Sequence, residues 1–142
     1  MNAAFSHFGI CVSDLERSLR FYCEGLGFER AESYEIGDDF ARLMELDHVA
    51  LTSQYIRRDG LSVELLAYRS PDSIGPAERR PLNQLGLTHL SFRVDDVDGV
   101  AARLRELGGT VHEQTRTTMG ALDFVYCTDP DGTRIELMRL PS

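Results

Sequence analysis

Two histidines and two glutamates combine the side-chain types and the spacing of a metal site. His7 and His89 open two similar segments, HFGICVSD and HLSFRVDD, which lie 82 positions apart. Glu64 and Glu136 lie in a second pair of similar segments, DGLSVEL and DGTRIEL, which lie 72 positions apart. Imidazole and carboxylate groups suit Zn²⁺, Ni²⁺, Co²⁺, Fe²⁺ or Mn²⁺. Because the set occurs twice at corresponding places, it predicts that the four residues bind one divalent ion.

The strand pattern around the two glutamates predicts that their carboxylates need a partner. Side chains on a strand alternate between two faces, so Glu64 and Glu136 point away from the aliphatic residues beside them. The same alternation puts His7 and His89 on the face that carries the glutamates. A carboxylate among aliphatic neighbours is costly to bury unless it is paired or bound to a cation. A divalent ion meets that need, and a buried His–Glu network without metal is the alternative that stays open.

The four residues belong to two copies of a module with the element order βαβββ. In the first copy, Ser13 and Glu16 have the spacing of a capping box that starts a helix. Asp-Gly pairs predict tight turns before the last strand of each copy. The predicted strands are 5–12, 29–34, 49–57, 61–68, 87–94, 110–115, 122–128 and 133–140, and a helix follows the first strand of each copy. The first copy carries ten additional residues between its landmarks, which we expect in a surface loop.

A stretch rich in turn-forming residues divides the two copies. Residues 1–68 are the predicted first module, 69–84 the connection and 85–142 the second module, within one compact domain. The connection contains three prolines and a glycine, which interrupt strands and helices. Its Arg79-Arg80 pair is the densest basic cluster of the chain, and we interpret it as part of a solvated loop.

Composition excludes several classes of partner. The 142 residues include 15 Lys and Arg against 23 Asp and Glu, so the net charge of −8 repels nucleic acids and anionic lipid surfaces. No stretch approaches the ~20 apolar residues that span a bilayer, and the first residues lack the pattern of a signal peptide. We therefore expect a cytoplasmic protein. The three cysteines, Cys11, Cys23 and Cys127, have no CxxC spacing and are expected to be reduced.

The set of His7, Glu64, His89 and Glu136, with the ending Asp-Pro-Asp-Gly-x-x-Ile-Glu-Leu, resembles the vicinal oxygen chelate superfamily. The resemblance covers nearly the whole chain. It implies an α+β fold in which two βαβββ modules form a cup-shaped, incompletely closed mixed β-sheet barrel around one divalent metal ion. It also implies a small-molecule substrate with vicinal oxygens and a homodimer. Whether the modules of one site come from one chain or from two stays open.

Within this superfamily, the His-Glu-His-Glu set most resembles bacterial glyoxalase I. The resemblance implies a lyase or isomerase that transfers a proton next to a metal-bound carbonyl by way of an enediolate. Glu136 or Glu64 would be the base, and the near symmetry of the two modules does not choose between them. One alternative is an Fe(II) extradiol dioxygenase, which needs two histidines and one carboxylate. Another is a binding protein without enzymatic activity, of the bleomycin-resistance kind.

Five further residues are predicted to contact substrate. Bacterial glyoxalase I has Arg and Asn where this chain has Cys11 and Tyr68, so the resemblance does not extend to glutathione contacts at these positions. Arg93 corresponds to Cys11 in the second module and could hold an anionic group of the substrate. Leu66 and Met138 follow the two glutamates on the same strand face and are expected to line the cavity.

Overall fold

Each of the two repeats folds into a four-stranded mixed sheet with a helix, as the βαβββ pattern predicts. The computed structural model describes residues 2–142, so Met1 of the predicted first module lies outside the described part. One compact unit ends at Gly75, and Pro76–Ser142 form the other. Neither sheet closes on itself. The α+β class and the two modules are therefore confirmed.

The first unit contains four strands. Its elements are β1 (Phe8–Cys11), α1 (Leu15–Leu19) with a π-helical continuation (Arg20–Gly25), β2 (Glu29–Ile36), a 3-10 turn (Asp38–Phe40), β3 (Ala50–Arg58) and β4 (Leu61–Ser70). The strand order is β1-β4-β3-β2, with β1 parallel to β4 and the other neighbours antiparallel. The predicted Asp59-Gly60 turn joins β3 to β4 with positive φ at both residues, as a tight hairpin requires.

The second unit repeats this arrangement. Its elements are β5 (Leu90–Arg93), α2 (Val97–Glu106), β6 (Thr110–Met119), β7 (Leu122–Thr128) and β8 (Arg134–Arg139). The strand order β5-β8-β7-β6, with β5 parallel to β8, matches that of the first unit. β1 and β5 are shorter than predicted, so His7 and His89 each lie one residue before a strand. Over residues 2–142, no helix is long and apolar enough to cross a membrane.

Both helices begin with an aspartate, which corrects the predicted capping box. The N-cap of α1 is Asp14, whose carboxylate accepts a hydrogen bond from the backbone N–H of Arg17 at 3.0 Å. Asp96 caps α2 in the same way, accepting from the N–H of Gly99 at 2.9 Å. Ser13 lies one residue too early for this role, and its hydroxyl accepts from the Arg17 side chain instead. The two caps occupy equivalent positions in the repeats.

Alternation along β4 and β8 separates the core from the face that carries the glutamates. Val63 and Leu65 on β4, and Ile135 and Leu137 on β8, are completely buried. Burying an aliphatic side chain of this size contributes about 1.5–3 kcal/mol, so these residues fix the register of each central strand. Glu64 and Glu136 lie between them and point to the opposite face, as predicted.

The additional residues of the first repeat form a packed cap. They lie between β2 and β3, whereas only two residues separate β6 from β7. We call residues 37–49 the cap loop. Its buried core members pack with partly buried side chains; the cluster consists of Ala41, Val49 and Leu51 with Ile36, Met44, Leu46, Leu66 and Tyr68. Asp38 closes the loop by accepting from the N–H of Val49 at 2.9 Å. The additional residues thus lie in a surface loop, as expected, and one side of that loop packs against the sheet.

Candidate functional site

The first unit brings His7 and Glu64 together. His7 Nε2 lies 2.8 Å from Glu64 Oε2, and the two side chains are 31% and 16% exposed. The parallel pairing of β1 with β4 sets Gly9 opposite Glu64, which places the residue two positions earlier on the same face. The other ring nitrogen, Nδ1, lies 2.8 Å from the hydroxyl of Ser6. The imidazole is thus oriented by one nitrogen and presents the other to the carboxylate.

The second unit brings His89 and Glu136 together in the same way. His89 Nε2 lies 4.0 Å from Glu136 Oε2, and the side chains are 28% and 20% exposed. Nδ1 of His89 lies 2.8 Å from the hydroxyl of Thr88. A hydroxyl residue therefore precedes and orients the histidine in both repeats. The second pair differs from the first in its wider His–Glu separation.

A tyrosine completes each pair, and sequence reasoning missed this role. Tyr55 lies directly opposite Glu64 in the β3–β4 hairpin, with its hydroxyl 3.4 Å from Oε2 and its ring 5.1 Å from that of His7. Tyr126 lies opposite Glu136 in the β7–β8 hairpin, 5.6 Å from the ring of His89. The signal in the sequence was a tyrosine nine or ten residues before each repeated glutamate.

Burial and the nearby carboxylates keep both phenols protonated. Burial raises the pKa of Tyr55, and the charge of Glu64 raises it further. Burial likewise raises the pKa of Tyr126, as does the charge of Glu136, while Arg134 acts in the opposite direction. A protonated phenol is a hydrogen-bond donor, so each tyrosine can stabilise the ionised glutamate opposite it.

The two carboxylates are anchored from different sides. Ser53 on β3 donates to Glu64 Oε1 at 2.7 Å and is only 2% exposed. Ser91 on β5 donates to Glu136 Oε1 at 2.7 Å and is exposed. The position that corresponds to Ser91 in the first unit is Gly9, which has no side chain to offer. The near symmetry of the repeats therefore breaks at the residues that hold the glutamates.

The donor chemistry of each pair fits a divalent ion. An imidazole nitrogen and a carboxylate oxygen face each other, and the second imidazole nitrogen is occupied by a hydroxyl, as in proteins whose histidines bind metal. Within the described residues of either unit, no third His, Cys, Asp or Glu joins the pair to make a metal-sized cluster. Each unit therefore supplies two of the four donors that the sequence predicts.

Cys11 and Arg93 occupy equivalent exposed positions on the site-bearing faces. Cys11 is opposite Leu66 in the β1–β4 ladder, and Arg93 is opposite Met138 in the β5–β8 ladder. The cysteine forms no disulfide bond among residues 2–142. The sequence predicts that Cys11, Leu66, Arg93 and Met138 contact substrate. In the structure, Leu66 and Met138 each follow a glutamate by two positions, and Cys11 and Arg93 lie beside them on the neighbouring strand.

Tyr68 packs into the cluster under the cap loop. Its hydroxyl lies 4.0 Å from the sulfur of Met44, and it lies opposite the buried Leu51. Burial raises the pKa of Tyr68, with smaller contributions from Cys11 and Glu64. The cap loop therefore supplies an apolar wall beside the first His–Glu pair, a feature that the strand pattern alone does not reveal.

The sequence as a whole identifies the family. The sequence profile of the Glyoxalase/Bleomycin resistance protein/Dioxygenase superfamily matches residues 4–137. The chain belongs to this superfamily. The match spans both units, so the whole duplicated fold belongs to the glyoxalase superfamily, as the resemblance in the sequence implied.

Two of the curated relatives carry the names of enzymes. It is 30% identical over 152 residues to 2-epi-5-epi-valiolone epimerase from Actinomyces sp, covering 98% of this chain and 80% of the relative. It is 27% identical to a Synechocystis protein named "Probable lactoylglutathione lyase", covering 96% of this chain and 95% of the relative. The two names describe an isomerase and a lyase.

Solved structures share the glyoxalase fold. A glyoxalase family protein from Bacillus cereus superimposes with a TM-score of 0.83 at 19% identity, covering 98% of this chain and 95% of that one. The fosfomycin resistance protein FosX from Listeria monocytogenes, complexed with Mn(II) and sulfate, gives a TM-score of 0.61 at 20% identity, covering 99% and 95%. At these identities the likeness concerns the fold.

Proposed function

We propose that this chain is a divalent-metal-dependent enzyme that transfers a proton next to a substrate carbonyl, as a glyoxalase I-like lyase or an epimerase-like isomerase. One observation carries the proposal: each repeat sets a histidine Nε2 beside a glutamate carboxylate at the same place in its sheet. His7, Glu64, His89 and Glu136 together would hold one Zn, Ni, Co, Fe or Mn ion. The epimerase and lyase names of the relatives support this class of reaction.

The histidines are prepared to be ligands by their neighbours. When Nδ1–H of His7 donates to the Ser6 hydroxyl, Nε2 carries a lone pair that points toward the carboxylate of Glu64, where a metal ion would take it, and Thr88 prepares His89 in the same way. When bound, a divalent ion supplies Lewis-acid stabilisation of negative charge on substrate oxygens. The Mn(II) in the FosX complex supports a metal for this fold.

Glu136 is the proposed base. Its Oε2 lies 4.0 Å from His89, whereas Oε2 of Glu64 is 2.8 Å from His7. The carboxylate oxygen that lies farther from its histidine is the freer to take a proton from the carbon beside the carbonyl. The electron pair of that C–H bond then forms a C=C bond, and the π pair of the carbonyl moves to its oxygen. Glu136 then returns the proton to a carbon of the same substrate. Tyr126 and Ser91 keep the carboxylate in place meanwhile.

The substrate is proposed to be a small molecule with two neighbouring oxygens, and the active form a homodimer. Each unit would supply two of the four metal donors and one side of the substrate site, and the two sides differ in polarity. The cap loop makes the wall of the first unit apolar, through Leu66 and Tyr68. Arg93 gives the second unit an exposed cation on the face of Glu136.

Deuterium uptake from D2O tests the proposed reaction. Metal-loaded protein is incubated with 2-epi-5-epi-valiolone, and separately with methylglyoxal and glutathione, and carbon-bound deuterium is followed by NMR. We expect uptake in one of the two, and its loss in Glu136→Gln, because the amide cannot accept the proton. His48→Ala is the control, since His48 pairs with Asp38 on an exposed loop. No exchange with either substrate at any metal would contradict both assignments.

A further inference from the structure

Arg79 is a half-buried cation with an unsatisfied guanidinium. Its Nη1 is buried and finds no hydrogen-bond partner among residues 2–142. A buried donor without a partner costs free energy, and a charged donor costs more than a neutral one. The interpretation of this stretch as a solvated loop is therefore wrong for Arg79. An unpaired, half-buried guanidinium points to a ligand of opposite charge.

The backbone on both sides of Arg79 is held in place. Gly132 has a φ of +90°, and a Cβ there would lie 2.6–2.7 Å from backbone atoms of Glu78, so only glycine permits this approach. The carbonyl of Arg80 accepts a hydrogen bond from Arg134 Nη2 at 2.6 Å. Arg79 thus lies between two anchored neighbours, and its position is built into the fold of the second unit.

A second guanidinium and a histidine surround the same place. The guanidinium of Arg134 stacks over the ring of Tyr126, 4.9 Å from its centroid. Burial lowers the pKa of His112, and the charges of Arg79 and Arg134 lower it further. His112 is therefore mainly neutral near pH 7. The two guanidinium groups carry the same charge, so neither compensates the charge of the other. An anion would satisfy both.

This group of residues borders the proposed base. Arg134 precedes Glu136 by two positions on β8, and Tyr126, over which it stacks, lies opposite that glutamate. We propose that Arg79 and Arg134 form an oxyanion site in the second unit, which, if the proposed function holds, takes a carboxylate or phosphate of the substrate. Guanidinium groups bind both anions through paired N–H donors. The substrate class would then be an anionic carbonyl or hydroxy compound.

Anion binding to the metal-free protein tests this site apart from the metal. Protein treated with EDTA is titrated with inorganic phosphate and with succinate by calorimetry, and the melting temperature is followed with and without each anion. We expect wild type to bind at least one of them. Arg79→Met should weaken binding at least about tenfold, because a charged hydrogen-bond partner is lost. It should also raise the melting temperature in anion-free buffer, because an unpaired cation is removed.

Arg103→Met is the matched control, since Arg103 pairs with Glu106 on the surface of α2. It should leave anion binding unchanged. Should Arg79→Met fail to fold, Arg79→Gln takes its place. The preferred anion identifies the group that the site takes, phosphate or carboxylate. A wild type that binds neither anion, or an Arg79 variant that binds as tightly as wild type, would overturn the site. Either result leaves the metal proposal standing, because no metal is present in the titration.

Discussion

The two His–Glu pairs share their donors, the hydroxyl that orients each histidine and the tyrosine opposite each glutamate, and they differ in the other side chains around the carboxylates. Glu64 is held by the buried hydroxyl of Ser53 beside the apolar wall of the cap loop. Glu136 is held by the exposed Ser91, with Arg134 stacked over the neighbouring tyrosine. A duplicated module has thus kept the residues suited to a metal and changed the residues that decide how firmly each carboxylate is held. The difference supports the proposal that Glu64 is the more firmly held ligand and Glu136 the base.

Glutamine substitution of each carboxylate should give the largest contrast between the pairs. Glu136→Gln removes the proposed base, and we expect the turnover number to fall by about 10²–10⁴, the usual contribution of a general base. Glu64→Gln keeps an oxygen donor and should cost markedly less turnover. Steady-state kinetics of metal-loaded variants, with metal content measured on the same samples, separates the two effects. A larger loss for Glu64→Gln would reverse the assignment.

Removing the centre of the cap-loop cluster should destabilise the first unit. Leu51 is fully buried between Tyr68 and the loop, and Leu51→Ala leaves a cavity that costs about 2–5 kcal/mol in the free energy of unfolding. Urea denaturation measures the change. Leu43→Ala is the control because Leu43, in the same loop, is 76% exposed. Equal effects for the two variants would mean that the loop does not pack as described.

The serines that anchor the carboxylates should differ in their effect on stability. Ser53→Ala removes a buried donor to a charged group, and we expect a loss of about 1.5–3 kcal/mol in the free energy of unfolding. Ser91→Ala removes an exposed hydrogen bond that water can replace, so the free energy of unfolding should fall by less. Thermal or urea denaturation of the two variants measures the difference. A reversed order would contradict the contrast between a firmly and a loosely held glutamate.

The helix caps should behave alike, because both repeats have an aspartate at the same capping position. Asp14→Ala and Asp96→Ala each remove a carboxylate that accepts from a backbone N–H of the first turn. Each should cost about 1 kcal/mol in the free energy of unfolding. Denaturation curves of the two variants measure this. Ser13→Ala should cost much less than Asp14→Ala, and an effect as large would restore the capping box.

Repetition in the sequence was enough to predict the two modules, the order of their strands along the chain and the strand face that carries each glutamate. The offsets of His7 to His89 and of Glu64 to Glu136 need no knowledge of packing. The capping residue was missed because Ser13 and Asp14 both suit an N-cap, and the backbone path decides between them.

The features that distinguish the two units were not predictable in the same way. The cap loop depends on the packing of Leu51 against residues far along the chain, and the burial of Arg79 depends on the close approach at Gly132. The pairing of each tyrosine with a glutamate depends on the register of its hairpin. The turns of the two hairpins differ in length, so the two registers differ as well. Counting back from each glutamate would have found Tyr55 and Tyr126 once the turns were known.

Metal stoichiometry tests the central claim most directly. Protein purified without a metal-binding tag is loaded with each candidate ion, and metal per chain is measured by plasma mass spectrometry for wild type, His7→Ala, His89→Ala and the control His48→Ala. We expect close to one ion per chain in wild type and in the control, and a sharp loss in both His7→Ala and His89→Ala, because in the proposed site the two pairs hold one ion together. Two ions per chain, metal that survives either histidine substitution, or a wild type that takes up no ion would contradict a single site shared by the two repeats.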